Sequence, residues 1–460
     1  MLAYEAAKRG YEAVVGPKAE IKQYARHQGS GIYLFKHWES VFPYPFDHEN
    51  RNRYFYIGFH PEGLVFTEER FRNYMNVPGK SEKLDLNLVY GKVQRELLLD
   101  ENPLLEGMVH EVGHPRFDLL RPEYHHIYQK EVHRHQRNHG RYILINTNFT
   151  PGNPGKFYDA GYLERKNRES IEKWGKPLSE EQREYLSRRV DYFAKLFDLY
   201  VKMAEELAKS LDGVKVILRP HPGENHDHYR EKLNGVENLD VRFEGNVINW
   251  ILGAEAVIQT GCTTAIEAWA SRKPVVRYNP LKEAVDFESE LPNQFGHQAS
   301  GLHELQDLAS RVVSGEVSDT FQDQIPAAKP YIDSIDGVRS TGRILDIIDQ
   351  SLQAKTGRQT TSRSDIREYY PLSKRLEEAR FKLVRYVQTR NGLMKWRHGE
   401  EKAIQKAAKY QKFPGLPAST VRTFFKKFAK TDGKPEHREL KIDRVDFDTF
   451  IIRNRNKTLP

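Results

Sequence analysis

The sequence predicts an α/β protein built from two domains, each a doubly wound parallel sheet, with a basic extension. Short apolar strands alternate with helical patterns, as the crossover connections of parallel sheets require. The 460 residues exceed the size of one ordinary domain. The residues after Ala354 include 27 of the 72 Lys and Arg residues but only 12 of the 64 Asp and Glu residues. The net charge is therefore +15 after Ala354 and −7 up to it. We therefore expect domains over residues 1–135 and 136–354 and a separate extension over 355–460.

Composition excludes several classes of protein. Hydrophobic residues make up 38% of the sequence and aromatic residues 11%, which is enough for packed cores, while 30% of the residues are charged. No apolar run approaches the roughly 20 residues that cross a bilayer, and the amino terminus lacks the apolar region of a signal peptide. A single cysteine, Cys262, rules out an internal disulfide framework. These features predict a protein of the reducing cytoplasm.

Short apolar segments predict the strands of the first domain. They are Val14-Val15 and residues 31–34, 54–57, 63–65, 86–91 and 108–112. A helical pattern precedes them, whereas a doubly wound domain normally opens on a strand. We therefore expect the first sheet to lack its opening strand, as a truncated amino terminus would cause.

A polar segment over residues 123–141 separates the domains and contains five histidines. These are His125, His126, His133, His135 and His139. Histidine clusters can bind metals, but the Cys and carboxylate partners that complete such sites are missing at ligand spacing. The segment is therefore predicted to be a solvated, linker-like helix without a metal.

The second domain is predicted to open on the apolar strand at 142–147. Residues 155–185 are polar and punctuated by Gly and Pro, which predicts an insertion or lid loop. Apolar residues at helical spacing over 187–210 predict a long amphipathic helix whose apolar stripe is core. Further helices are expected near 302–313 and 342–352.

Residues 214–278 contain the central βαβ unit. Val214–Leu218 and Ala256–Gln259 are apolar, β-branched strands. A helical pattern at 265–270 then leads to a third strand at 274–278. Strand, Gly-containing turn, helix and strand make a crossover, so the strands should be parallel. The loops that follow them should then meet at one edge of the sheet, where α/β proteins bind ligands.

Polar residues stand in those loops in a pattern that suits a nucleotide phosphate. Gly261 lets the backbone approach a ligand, and Thr263 or Thr264 caps a helix whose N-terminus attracts an anion. His221 follows the neighbouring strand on a Pro-flanked turn, and Glu267 can accept hydrogen bonds from ribose. Each residue alone also fits an ordinary cap or turn, whereas together they favour a nucleotide mono- or diphosphate site. The predicted donor-site residues are Arg219, His221, Gly261, Thr263, Thr264, Glu267, Asn146 and Asn148.

Several segments resemble a known family. They are Val112–Asp118, Tyr142–Phe149, Arg219–Pro222 (RPHP), Asn249-Trp250, Gly261–Ala268 (GCTTAIEA) and Lys273–Pro280 (KPVVRYNP). They resemble bacterial surface-carbohydrate biosynthesis proteins, which are related to GT-B glycosyltransferases of capsule and lipopolysaccharide assembly. The His-Pro and Thr pairs also resemble the motifs with which bacterial polysialyltransferases and capsule Kdo transferases hold CMP. The resemblance covers about residues 1–350 and implies a GT-B fold, in which two Rossmann-like domains face a cleft.

Sugar transfer to a hydroxyl needs a group that takes the acceptor's proton. Glu62 is the predicted base because it follows a strand end, and His60 is its fallback. The resembling polysialyltransferases carry two acidic residues before the Gly of this motif, whereas Pro61 takes one of those places here. Glu62 also fits the alternative of an acidic residue in an exposed loop without a catalytic role. Arg116 could steady a donor phosphate, although with Asp118 it also fits a structural ion pair.

The extension opens with a polar linker after Ala354 and continues with basic helices predicted at 380–390 and 397–410. Residues 421–428 (VRTFFKKF) mix aromatics with Lys and Arg, as membrane-surface helices do. The same segment fits equally well a helix that packs on the protein and exposes a basic face to solvent. An anionic membrane at the inner face is thus a candidate partner, and nucleic acid is less favoured because no recognised binding motif accompanies the charge.

Together these observations favour a glycosyltransferase of bacterial surface polysaccharide biosynthesis. It would move a sugar from a nucleotide-activated donor, with CMP-sugars favoured by the resemblance, to a saccharide or lipid-linked acceptor. No Asp-x-Asp motif ends a strand of the donor half, so a metal-independent mechanism without a cofactor is expected. A polyol-phosphate transferase that uses CDP-glycerol or CDP-ribitol, and a non-catalytic scaffold of an assembly complex, are the alternatives.

Overall fold

The computed structural model describes residues 1–17, 21, 24–25, 30–35, 54–59, 64, 84–155, 161–281, 287–354, 417–433, 439–446 and 449–457. The chain forms two compact units. The first unit comprises Met1–Gly63, Thr67–Leu119 and Ile325–Pro460, and the second comprises Leu64–Phe66 and Leu120–Gln324. Apart from the short segment Leu64–Phe66, the chain therefore changes unit after residues 119 and 324, whereas the sequence predicts boundaries at 135 and 354.

A four-stranded parallel sheet is the centre of the first unit. Up to Leu119 this unit contains α1 (Leu2–Arg9), β1 (Ala13–Val15), β2 (Gly31–Phe35), β3 (Tyr54–Phe59), β4 (Leu86–Val89), α2 (Lys92–Glu101), β5 (Val109–Glu111) and α3 (Pro115–Asp118). The strand order is β2-β3-β4-β5, and every pair is parallel. All residues of β3 and β4 are buried, as expected of parallel strands that are covered on both faces.

A six-stranded parallel sheet is the centre of the second unit. Its strands are β6 (Tyr142–Asn146), β7 (Lys215–Arg219), β8 (Leu239–Val241), β9 (Val257–Gln259), β10 (Val275–Tyr278) and β11 (His297–Ala299). Its helices are α4 (Gln129–His139), α5 (Tyr162–Trp174), α6 (Glu180–Ser210), α7 (His226–Lys232), α8 (Val247–Gly253), α9 (Thr264–Ala270), α10 (Glu290–Asn293) and α11 (Leu302–Val313). The order β11-β10-β9-β6-β7-β8 places β6 where the chain reverses its direction across the sheet. Ligands of doubly wound sheets bind at such a switch point.

These two sheets confirm the predicted α/β class with two Rossmann-like units. Residues 120–135 group with the second sheet because α4 packs on α8. The ring of His135 lies on that of Trp250, with centroids 3.7 Å apart. The linker-like helix therefore packs on the second unit through His135, while most of its other residues are exposed.

The segment predicted to be an insertion or a lid loop forms helices over residues 162–174 and from residue 180, so the loop alternative is wrong for those residues. After α5, the helix α6 begins with a capping box. The Ser179 hydroxyl accepts a hydrogen bond from the N–H of Gln182, and the Gln182 side chain accepts one from the N–H of Ser179. A Ser followed three residues later by Gln is typical of such a box. The helix therefore starts at Glu180 rather than at Ser187, while its apolar stripe is buried as predicted.

The chain returns to the first unit after Gln324. The described helices here are α12 (Phe321–Ala328), which spans this change of unit, α13 (Ser340–Ala354) and α14 (Ala418–Thr431). The two carboxylate oxygens of Asp118 accept hydrogen bonds from the N–H groups of Ser340 and Thr341, at 2.9 and 2.8 Å. A carboxylate in this place satisfies N–H groups that have no partner within the helix. This anchor explains why α13 belongs to the first unit.

The extension contains a β-hairpin as well as a helix. Its strands are β12 (Leu440–Asp446) and β13 (Thr449–Asn454). They form a second sheet of the first unit in the order β1-β13-β12, in which Val14 pairs antiparallel with Ile451. The prediction that Val14-Val15 belongs to the doubly wound sheet is wrong, and so is the prediction of a wholly helical extension. The reason is that Phe450, Ile451 and Ile452 form an apolar strand that is buried against β1.

Helix α14 packs on the protein through part of residues 421–428. Phe425 and Phe428 are buried and pack on Tyr4, with ring centroids 5.3 and 5.4 Å apart. Phe424 and Lys426 of the same helix are exposed. An anionic membrane as a partner of this helix therefore stays a prediction.

The sequence also predicts other helices in the extension and no membrane-spanning segment. The helices predicted at 380–390 and 397–410 lie outside the described residues. Within the part of the chain that the structure describes, no helix is both long and apolar enough to cross a membrane.

Candidate nucleotide site

The carboxyl ends of β6, β7 and β9 lie side by side and carry most of the predicted donor residues. Asn146 and Arg219 end β6 and β7 and are register partners. Asn146 Nδ2 donates to Thr264 Oγ1 at 3.1 Å, which joins β6 to the start of α9. Asn146 is 3% exposed, and its Oδ1 has no hydrogen-bond partner among the described residues. Such an acceptor is costly to bury unless a ligand or water bonds to it.

His221 lies on the turn after β7, where its contacts set its tautomer. Its Nδ1 accepts a hydrogen bond from the N–H of Gly223 at 3.1 Å and lies 3.3 Å from Thr150 Oγ1. A ring nitrogen that accepts from an N–H carries no proton, so the neutral ring carries its proton on Nε2. The residue is exposed. The turn therefore presents Nε2–H as a donor, which is what a phosphate oxygen requires.

Glu224 holds this turn in place, although the sequence pattern does not single it out. Its carboxylate accepts hydrogen bonds from Thr147 Oγ1 at 2.8 Å, His221 N–H at 3.0 Å and Tyr229 Oη at 2.5 Å. Glu224 is 4% exposed, so it ties the two loops and α7 together from inside the core. Burial raises its pKa to about 7, although these hydrogen bonds oppose the rise. The only sign of this role in the sequence is that an acidic residue directly follows His-Pro-Gly.

Arg219 places a positive charge beside the same turn. Its Nη2 donates to the carbonyl oxygen of Gly245 at 3.1 Å, and its guanidinium lies 4.9 Å from the centroid of the Phe243 ring. Its Nε is buried without a hydrogen-bond partner among the described residues. Burial lowers its pKa to about 10, although Cys262 and Glu267 oppose this effect. Arg219 is therefore a charged group at neutral pH with unused hydrogen-bonding capacity.

The turn between β9 and α9 is held by side chains. Gly261 has a φ of +59°, in the left-handed region that favours glycine. Its N–H donates to Asn293 Oδ1 at 2.8 Å, and the N–H of Cys262 donates to Gln259 Oε1 at 3.1 Å. Side chains of the protein accept hydrogen bonds from both N–H groups. The role of Gly261 in this structure is therefore to allow the backbone conformation of the turn.

Neither threonine caps α9 with its side chain, so that prediction is wrong. Thr263 stands at the N-cap position with helical backbone angles, φ −61° and ψ −17°, and makes no side-chain capping bond. A capping residue normally has an extended backbone there. The Thr264 hydroxyl donates to Cys262 Sγ at 3.0 Å and accepts from Asn146. Both threonines are half-buried at the edge of the sheet.

A second buried carboxylate, Glu288, supports the β9–α9 turn. It accepts hydrogen bonds from Thr260 Oγ1 at 2.9 Å, Asn293 Nδ2 at 2.6 Å and Tyr192 Oη at 2.9 Å. Glu288 is 7% exposed. Its partners come from α6, from the turn itself and from α10, so no local pattern in the sequence could have identified this network.

The remaining donor residues also belong to the second unit. Glu267 is 8% exposed on α9, and its charge acts on Arg219. Asn148 follows β6 and is half-buried. Cys262 is buried, and burial raises the pKa of its thiol. This pKa fits the predicted packing role of Cys262 rather than that of a nucleophile.

The acid–base candidates of the first unit are only partly described. Glu62 and His60 lie outside the described residues. Arg116 is exposed on α3, and its backbone N–H donates to His114 Nδ1 at 3.0 Å. The His114 ring stacks on Phe59 at the carboxyl end of β3, with centroids 5.0 Å apart. Burial lowers the pKa of His114 to about 3, so the ring is neutral at physiological pH.

The sequence matches no protein-family model and no curated protein. The wall teichoic acid polymerase TagF has a similar structure, with 13% identity and a TM-score of 0.42 over 74% of this chain and 85% of its own. A putative UDP-N-acetylglucosamine 2-epimerase from Listeria monocytogenes is 16% identical, with a TM-score of 0.36 over 68% of this chain and 70% of its own. Anabaena HepE in complex with UDP and glucose is 11% identical, with a TM-score of 0.37 over 72% and 81%. Because these scores are below 0.5, the function is inferred from the site and not from these proteins.

Proposed function

We propose that the second unit binds the nucleotide part of an activated sugar and that the protein is a glycosyltransferase of bacterial surface polysaccharide biosynthesis. The observation that carries this proposal lies at the ends of β6 and β7. There the unused Oδ1 of Asn146 stands at the switch point of a doubly wound sheet, where such sheets bind nucleotides, and the Nε2–H of His221 and the charge of Arg219 stand on the neighbouring strand end. The resemblance of the RPHP and GCTTAIEA segments supplies the reaction class and favours a CMP-sugar.

In the proposed reaction, an acceptor hydroxyl attacks the anomeric carbon of the donor sugar. The bond to the nucleotide phosphate breaks, and the phosphate leaves with the electron pair. Negative charge therefore grows on the phosphate, and fixed cations and N–H donors stabilise that charge most in the transition state. Arg219 and His221 would act in this way, while Glu224 positions the His221 ring.

Nucleotide binding should appear as a rise in melting temperature. We expect CMP and CMP-sugars to stabilise the protein in a panel that also contains CDP, CDP-glycerol, UDP and GDP. A ligand at 100 times its Kd adds about 2.7 kcal/mol. The shift should vanish in His221→Ala, because Nε2–H is lost, and persist in His303→Ala, which removes an exposed histidine of the same unit.

Two results would overturn this proposal in different ways. A shift with CDP-glycerol, without one for any sugar nucleotide, would assign the site to polyol-phosphate transfer. No shift with any nucleotide would refute the donor site and favour a scaffold role.

We further propose Glu62 as the base that takes the acceptor's proton, with His60 as the alternative. Glu62→Gln is expected to lower kcat by roughly 10²- to 10⁴-fold, since a positioned base contributes that much. The nucleotide-induced melting shift should stay unchanged, because the base meets the acceptor and not the donor. His60→Gln is the matched comparison in a turnover assay. Unchanged turnover in Glu62→Gln, with a large loss in His60→Gln, would transfer the role to His60.

A further inference from the structure

Two of the histidines of α4 belong to a cluster that the nucleotide site does not use. His135 and His139 lie one turn apart on α4, and Glu244 follows β8. Each offers one ligand atom, and the three atoms lie within 4.8 Å of one another. We propose that these side chains bind a divalent transition-metal ion of the zinc type. The sequence predicts a solvated helix without a metal here because the carboxylate comes from a distant part of the chain.

His135 supplies the first independent observation. It is 1% exposed, and its ring packs on Trp250. Its Nε2 is buried and has no hydrogen-bond partner among the described residues. Leaving a buried polar atom without a partner costs about 1–3 kcal/mol, and most such atoms in proteins are satisfied. A metal bound at Nε2 would satisfy it.

His139 supplies the second observation, because a carboxylate orients its ring. Its Nδ1 lies 3.3 Å from Asp240 Oδ2, and its side chain is 6% exposed. Metal-binding histidines usually donate one ring N–H to a carboxylate, which fixes the tautomer and directs the other nitrogen to the metal. Arg242 and Lys215 lie 3.3 and 3.4 Å from the same Asp240 oxygen and hold that carboxylate in place.

The ligand set indicates the class of ion. Two imidazoles and one carboxylate are typical of zinc and of ferrous sites that keep open positions. Zinc bonds of about 2.1 Å in tetrahedral geometry put ligand atoms about 3.4 Å apart. Ligand atoms that lie as much as 4.8 Å apart must therefore move closer to bind one ion. Glu244 is exposed, so rotation of its side chain can supply this movement.

A bound ion would fasten α4 to the segment between β8 and α8. The carbonyl oxygen of Glu244 accepts a hydrogen bond from Trp250 Nε1 at 2.8 Å, and that of Gly245 accepts one from Arg219. Fixing the Glu244 side chain would therefore also fix the neighbour that holds Arg219. The proposed effect of the ion is to hold these two segments together.

Zinc titration of the full-length protein tests this site without any nucleotide. After removal of metals with EDTA, we expect calorimetry with zinc chloride to show one equivalent bound and the melting temperature to rise. Glu244→Gln and His139→Gln should each weaken zinc binding more than about tenfold, since each removes a ligand. His133→Gln and Glu237→Gln are the controls because both residues are exposed and neither belongs to the cluster.

Two outcomes would refute the metal site. One is the absence of stoichiometric binding at micromolar zinc. The other is equal binding by the wild type, Glu244→Gln and His139→Gln, which would indicate adventitious ion binding only. Glu244→Gln changes an exposed residue, so it should fold, and circular dichroism checks this. Because no nucleotide takes part, either outcome leaves the proposed donor site to its own test.

Discussion

Replacing Glu224 by alanine is expected to lower the free energy of unfolding of the second unit by roughly 3–5 kcal/mol. The change removes the acceptor of the buried Thr147 Oγ1 and Tyr229 Oη and of the partly buried His221 N–H. At about pH 4 the carboxyl is mostly protonated in both the folded and the unfolded state, so the loss measured there reports hydrogen bonds and packing rather than charge burial. Thermal unfolding should show a fall of roughly 10 °C, and nucleotide binding should be lost because the turn no longer holds His221.

The matched control for this change is Glu231→Ala, which removes an exposed acid from α7. Its effect should stay within about 0.5 kcal/mol. A small effect of Glu224→Ala would show that the turn does not depend on this carboxylate.

The pH dependence of the free energy of unfolding gives a second test of Glu224. The pKa of Glu224 rises from 4.5 to about 7 on burial, so the folded protein keeps a proton that the unfolded chain has released. The stability linked to this proton is complete below about pH 4.5 and is lost as the pH rises through about 7. Glu224→Gln does not titrate, so its stability relative to wild type should improve by roughly 3 kcal/mol between about pH 5 and 9. Parallel profiles for the two proteins would contradict the raised pKa.

Replacing Arg219 by methionine is expected to weaken nucleotide binding by roughly 30- to 1,000-fold, which corresponds to about 2–4 kcal/mol. Methionine keeps the packing on Phe243 but removes the charge and the N–H donors proposed to meet the phosphate. Calorimetry with the nucleotide that gives the largest melting shift measures the loss.

Stability without ligand separates a binding role of Arg219 from a structural one. Burial lowers the Arg219 pKa to about 10 and leaves its Nε unused, so the free protein gains little from this charge. Arg219→Met should therefore be as stable as wild type or more stable. A loss of stability together with unchanged nucleotide affinity would make Arg219 a structural residue. Arg230→Met is the control, because it removes an exposed arginine that pairs with Asp227 on α7.

Much of the second unit could be predicted because its signals are local. The apolar runs before Arg219 and after Glu255 form β7 and β9 as predicted, since buried parallel strands are nearly continuous apolar segments. The start of α6 also has a local signal, which is the Ser179 capping box. The Gly and Pro residues before it nevertheless led to the prediction of a loop. Glu62 and His60, predicted from a motif, are still predictions because they lie outside the described residues.

The sequence by itself determined the α/β class, the parallel central strands and the edge that carries Asn146 and Arg219, because periodicity and turn residues act between near neighbours. Only the tertiary structure decided which side chains meet. Thr147 and Glu224 lie 77 residues apart, and Asn146 and Thr264 lie 118 apart. The His135 cluster needs a carboxylate from beyond β8. Burial, pKa and hydrogen-bond partners depend on contacts between distant segments, and a single sequence carries no local signal for them.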